Sequence, residues 1–186
     1  MKRCVDIVVA CFALVVLSFP AAIIALLIFL TSRGGVLFWS KRAGQAGKVF
    51  WMPKFRTMNV GTPNLPTAEL ASPSSYLTPI GGFLRRTSLD EIPQLYCVLC
   101  GQMSLVGPRP VILEEAELLN LRSSKGIDML LPGITGLAQV NGRDNLSIDQ
   151  KVAYEELYLR QKSTLLDLKI LVITIKAVLF RSDVSH

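Results

Sequence analysis

Between Asp6 and Arg33 the chain runs through 26 consecutive uncharged residues, IVVACFALVVLSFPAAIIALLIFLTS. An apolar run above about 18 residues is a membrane element. This one is too long for a signal-peptide core, and no small-residue cleavage pattern follows it. As a straight helix it would extend roughly 39 Å at about 1.5 Å per residue, so length alone permits a tilted crossing. Charge argues for a different path. Lys2 and Arg3 precede the run, while Arg33, Lys41, Arg42, Lys48, Lys54 and Arg56 follow it with no acid among them. Basic flanks favour the cytoplasmic side, and a single crossing cannot place both there. Pro20 near the midpoint removes a helical N–H, and Ser18 can satisfy a freed carbonyl. The expectation is a re-entrant helix-break-helix over residues 1-32, broken at Ser18 and Pro20, with a cytoplasmic-face domain over 33-186.

The whole 186-residue chain is 51% hydrophobic, 18% charged and carries a net charge of +6. Beside a membrane segment, that positive balance points to anionic lipid or a phosphorylated substrate. No recognition-helix or aromatic-basic pattern supports nucleic acid. The only histidine is the last residue, His186, which argues against Ser-His-Asp and Cys-His mechanisms. Cys97 and Cys100 have CxxC spacing but lie in the apolar string QLYCVLC, with no second pair. They read as buried reduced thiols on one helix face, as a reducing compartment allows. Catalysis therefore falls to carboxylates, Lys, Arg or Tyr.

Beyond the membrane run, residues 33 to 58 suggest a β-hairpin, two aromatic and β-branched runs around AGQAG. The Pro, Ser and Thr-rich residues 59 to 80 read as a surface loop. From residue 81 onward the pattern is mainly helical, with two glycine-rich interruptions. Ser147 and Gln150 form a capping-box pattern ahead of IDQKVAYEELYLRQ. Residues 165 to 180, LLDLKILVITIKAVLF, fit either a core helix or an interfacial helix with its lysines at anionic lipid. The expected fold is α+β and mainly helical: a short hairpin and amphipathic interfacial helices beside the membrane segment.

The string TSLDEIPQL sets two adjacent carboxylates, Asp90 and Glu91, behind Arg85 and Arg86 and ahead of Pro93. With Asp90 as helix N-cap, the free N–H groups, the dipole and the arginines would keep it ionised and draw a phosphate beside it. A cation must then separate carboxylate from phosphate, and Mg²⁺ suits that role. An ordinary cap with a first-turn acid remains the structural alternative. Arg109 in GPRP, Arg143 in VNGRDN, and Lys54 with Arg56 in PKFRTM add basic groups at constrained points, suited to phosphate.

Together KFRTM, LRRTSLDEIPQL, MSLVGPRP and PGITGLAQVNGR resemble the bacterial sugar transferases, the monotopic polyprenyl-phosphate phosphoglycosyl transferases. The resemblance runs from about Lys2 to Val184 and looks like a minimal catalytic form without an added membrane bundle. It implies that Asp90 attacks the β-phosphate of a UDP-sugar, releases UMP and holds the phospho-sugar until undecaprenyl phosphate takes it. Glu91 would help Asp90 organise Mg²⁺, and Arg85, Arg109, Arg143 and Lys54 would surround the phosphates. The implied setting is the inner membrane, among anionic lipids and downstream glycosyl transferases. The sequence departs from the family at LSFP, where Phe19 separates Ser18 from Pro20; a kink displaced by one residue is expected. A non-enzymatic scaffold binding anionic lipid or a pathway partner is the competing reading, but it leaves the carboxylate pair without a purpose.

Overall fold

A computed structural model describes residues 2–63, 73–142 and 145–180. Helix α1 spans Lys2–Thr31 and continues without interruption through Ser18 and Pro20, where the sequence predicts a break. A proline inside a helix removes one hydrogen bond, here to the Val16 carbonyl. The Ser18 hydroxyl donates to the Val15 carbonyl at 2.7 Å, one position earlier. That single local loss leaves 30 residues in one helical element.

α1 does not stand away from the rest of the chain. Asp6, Ala10, Ile24 and Ile28 are buried, and Leu14, Leu17, Ala21 and Ala25 are partly buried against the same core. Steps of three, four and seven place them on one face. The opposite face exposes Val8, Phe12, Val15, Phe19 and Leu30, with Phe19 75% accessible. Polar contacts secure the amino-terminal end. Lys2 pairs with Asp167 at 2.5 Å, and Arg3 donates to the Leu99 carbonyl at 3.1 Å. The buried Asp6 carboxylate accepts from the Ser104 hydroxyl at 2.8 Å and from the Leu105 N–H at 3.4 Å. A buried carboxylate is tolerated only with such partners.

The expected hairpin is present. β1 (Leu37–Ala43) pairs antiparallel with β2 (Val49–Phe55), from Leu37 opposite Phe55 to Ala43 opposite Val49. The turn passes through Gln45–Gly47, with Ala46 at φ 53°. Beyond the hairpin the backbone closes on itself, Asn59 N–H to Tyr76 carbonyl at 2.7 Å. The middle of the predicted loop lies outside the described residues.

Short α2 (Gly81–Thr87) and α3 (Leu95–Leu99) flank a 3-10 turn at Leu89–Gln94. A second two-stranded sheet, not expected from the sequence, pairs β3 (Ser104–Val106) parallel with β4 (Gly133–Thr135). Between these strands lies α4 (Ala116–Ser124), and after them the one-turn α5 (Leu137–Val140). α6 (Ile148–Gln161) opens with the expected capping box: Gln150 N–H to Ser147 Oγ at 3.3 Å, Ser147 N–H to Gln150 Oε1 at 3.0 Å. α7 (Thr164–Phe180) buries Ile170 yet exposes Leu165, Leu168, Val172 and Ile175, combining a core side with an uncovered apolar side. Cys97 is buried, its thiol pushed up to about 11 first by burial and then by Cys100. Cys100 is exposed, contrary to the shared buried face expected, because α3 ends one residue before it.

Candidate active site

Asp90 is not a helix N-cap. The cap position belongs to Ser88, held at φ 55° and ψ 16° without a side-chain cap bond, and Asp90 is the second residue of the 3-10 turn. Left-handed backbone is uncommon for a residue with a side chain and costs roughly 1–2 kcal/mol. Here it reverses the chain between α2 and the turn, and the turn carries Asp90 inward and brings Glu91 against β2. Asp90 is only 7% accessible. Its ionisation also differs from expectation. Burial pushes the Asp90 carboxyl above the ordinary carboxylate range; Lys54 pulls it down, Glu91 pushes it up again, and Arg85 and Arg109 lower it. Desolvation outweighs the surrounding cations.

Lys54 reaches the pair from β2. Its Nζ lies 2.8 Å from Glu91 Oε1 and 4.0 Å from Asp90 Oδ2, and Arg109 Nη1 lies 3.6 Å from the same Glu91 oxygen. Arg85, in the last turn of α2, acts on Asp90 through its charge. Thus Asp90, Glu91, Lys54, Arg85 and Arg109 converge, whereas Arg143 lies outside the described residues. Arg56 faces elsewhere, donating to the Gly35 carbonyl at 2.6 Å.

Glycines set the floor beneath Arg109. A Cβ on Gly107 would meet the Leu131 carbonyl oxygen at 2.3 Å, one on Gly133 the Gly107 nitrogen at 2.1 Å, and one on Gly136 the Gly107 carbonyl oxygen at 2.1 Å. All three contacts are with backbone, so no side chain fits. The approach lets Gly107 N–H reach the Thr135 carbonyl at 2.9 Å and Gly133 N–H the Pro108 carbonyl at 2.8 Å. A buried pair braces the same loop. Arg122 forms a fork with Glu155, donating from Nε at 2.7 Å and also from Nη2, while Nη1 holds the Arg109 carbonyl at 3.0 Å.

A cleft of about 20 Å³, room for one water-sized group, lies among Arg42, Lys54, Glu91, Gln94, Arg109 and Gly133. Sequence reasoning passed over Arg42, Gln94, Arg122 and Glu155. Arg42 counted only as a membrane-flanking charge, and Gln94 offers no signal before the turn is built. A larger cavity of about 470 Å³ opens beside Lys2, Tyr158 and Asp167. There Asp167 is already engaged by Lys2 and by the Tyr158 hydroxyl at 2.6 Å.

No group of three potential metal-ligating side chains occurs among the described residues. Two adjacent carboxylates are still a suitable donor set for Mg²⁺, which ordinarily takes one or two protein carboxylates and completes its shell with water and substrate phosphate.

Adjacent carboxylates and convergent cations meet at a glycine-floored cleft, in a chain whose long apolar amino-terminal helix fits a membrane-associated protein. The chain belongs to the bacterial sugar transferase family, whose model matches residues 1–181. It is 40% identical over 94% of its length to the UDP-glucose:undecaprenyl-phosphate glucose-1-phosphate transferase of Klebsiella pneumoniae, of which it spans 39%. It is also similar to the exopolysaccharide production protein ExoY of Sinorhizobium fredii (36% identity over 95% of this chain and 84% of ExoY). The uncharacterized sugar transferase EpsL of Bacillus subtilis matches at 37%, over 100% of this chain and 91% of EpsL.

Proposed function

We propose that this chain transfers a sugar-1-phosphate from a UDP-sugar to undecaprenyl phosphate at the cytoplasmic face of the bacterial inner membrane, releasing UMP. The observation that carries the reading is the buried Asp90 beside Glu91, with Lys54 and Arg109 gathered on the same pair in a member of this family. One Asp90 oxygen attacks the β-phosphorus of the donor. The bond from that phosphorus to the bridging oxygen breaks, and UMP departs with the electron pair. The phospho-sugar stays esterified to Asp90 until an oxygen of undecaprenyl phosphate attacks the same phosphorus and Asp90 leaves as a carboxylate. Lys54, Arg85, Arg109 and Arg143 offset the charge of the diphosphate. Asp90 and Glu91 would hold Mg²⁺, which supplies further charge neutralisation when bound.

The same reading has α1 enter and leave the bilayer on one side. The contacts at both ends support it: Lys2, Arg3 and Asp6 bind the domain near one end, and Ile24 and Ile28 pack into its core near the other. Single cysteine reporters before Lys2 and after His186, in a background without the native cysteines, should both label from the cytoplasmic side.

Activity is tested with a panel of UDP-sugars in Mg²⁺ without polyprenyl phosphate. The correct donor should yield UMP and a phospho-sugar adduct mapped to Asp90. UDP or inorganic phosphate as product in the complete reaction, in place of UMP, would point to a glycosyl transferase or a phosphatase and sink the proposal.

A further inference from the structure

The cleft holds more donors than its carboxylate needs. Gln94 is 2% accessible, lines the cleft, and its Nε2 has no hydrogen-bond partner. An orphaned buried amide N–H is costly, about 1–3 kcal/mol, and native proteins rarely leave one without a reason. Arg42 on β1 lines the same cleft. Its Nε donates to Ser40 Oγ at 3.1 Å. Burial lowers the Arg42 guanidinium to about 10, and Arg109 pushes the same way, against Glu115, Glu114 and Glu91. Two guanidiniums that disfavour each other are held in one place beside an unpartnered amide. An acceptor carrying negative charge relieves both problems at once.

The order of the groups says which acceptor. Lys54 spans Asp90 and Glu91, Arg109 contacts Glu91, and Arg42 lines one cleft with Lys54, Glu91 and Arg109. Asp90 is not on the cleft wall, whereas Glu91 is. A diphosphate whose attacked phosphorus sits at Asp90 would extend its second phosphate toward Arg109, Arg42 and Gln94. The room in the cleft matches one phosphoryl oxygen. We propose that Arg42 and the Gln94 side-chain amide bind the non-attacked phosphate of the donor, the one that departs with the nucleoside. This rests on the transfer reading above and adds two binding residues to it.

The test is UMP binding to the full-length protein in nanodiscs with Mg²⁺, by titration calorimetry and by the phosphorus resonance of bound UMP. Gln94→Met and Arg42→Gln should each weaken UMP about tenfold and return the phosphorus shift toward its free value. Arg42→Lys should recover part of the loss. Gln94→Met should melt at or above the wild-type temperature, because it removes an unsatisfied buried donor and keeps the volume. A wild type that binds UMP while both variants bind it equally well overturns the inference alone. So does lost binding that tracks a fall in melting temperature, which marks a structural glutamine. A wild type with no affinity for UMP takes down the inference and the transfer reading together.

Discussion

Two groups of buried charge in this protein are built to opposite rules. Arg122 and Glu155 form a forked pair in which guanidinium and carboxylate satisfy each other, with one spare donor given to the Arg109 carbonyl. Asp90, Glu91, Lys54 and Arg109 are spread, with separations of 2.8, 3.6 and 4.0 Å. Asp90 and Glu155 both titrate above the ordinary carboxylate range, and burial is the leading cause for each. Depressed solvation therefore does not distinguish a brace from a site. The distinction is geometry: one pair is a closed fork, and the other cluster is drawn out along a cleft that also holds the unpartnered Gln94 amide.

The sharpest way to break this contrast is Asp90→Asn. Turnover, read as UMP release, should fall more than ~10⁴-fold, since an amide does not attack phosphorus. Stability should rise. A carboxyl whose folded-state pKa is raised stabilises only at low pH, and that contribution is lost as pH rises through the folded value, so at neutral pH the ionised Asp90 is a burden that asparagine removes. Glu155→Leu should do the reverse: it leaves Arg122 buried and unpaired at a cost of about 3–5 kcal/mol in urea unfolding. The double variant Arg122→Met with Glu155→Leu should recover most of that loss, and strict additivity of the two singles would contradict a closed pair. Lys54→Met should reduce turnover roughly 10²-fold. Because Lys54 lowers the Asp90 pKa, the acid limb of the pH–rate profile should move to higher pH; an unmoved limb would mean Asp90 is not the group titrating. The smallest effect belongs to Ser88. Ser88→Val should cost about 1–2 kcal/mol, whereas Ser88→Gly should stay near wild type in thermal melts, since glycine accepts the left-handed backbone.

The sequence revealed best what is local. A capping box needs two residues three apart, a hairpin needs two β-rich runs around a turn, and a long apolar segment announces itself by composition, so α6, β1–β2 and the apolar character of α1 were legible, whereas the uninterrupted course of α1 through Pro20 was not. The Asp90–Glu91 pair and its basic company could be nominated from one string, yet the cap assignment failed. Pro93 and the left-handed Ser88 turned an expected α-helical start into a 3-10 turn, a balance that propensity does not resolve. The β3–β4 pairing was invisible because three-residue strands show no alternation, and their contact depends on glycines 26 residues apart, Gly107 and Gly133. Pairings such as Arg122 with Glu155 and Asp6 with Ser104 depend on tertiary approach alone.

The glycine contacts beneath Arg109 carry a consequence for how such a site can change over evolutionary time. Gly107, Gly133 and Gly136 meet backbone to backbone with no clearance for a methyl group. The two loops are consequently free to vary only at the neighbouring positions, and they must shift as one unit or not at all. A drifting chain cannot widen or reshape this floor by one substitution at a time. Change in what the protein accepts falls to the surrounding walls, where side chains can be exchanged singly, because a Cβ at any of the three glycines would meet backbone.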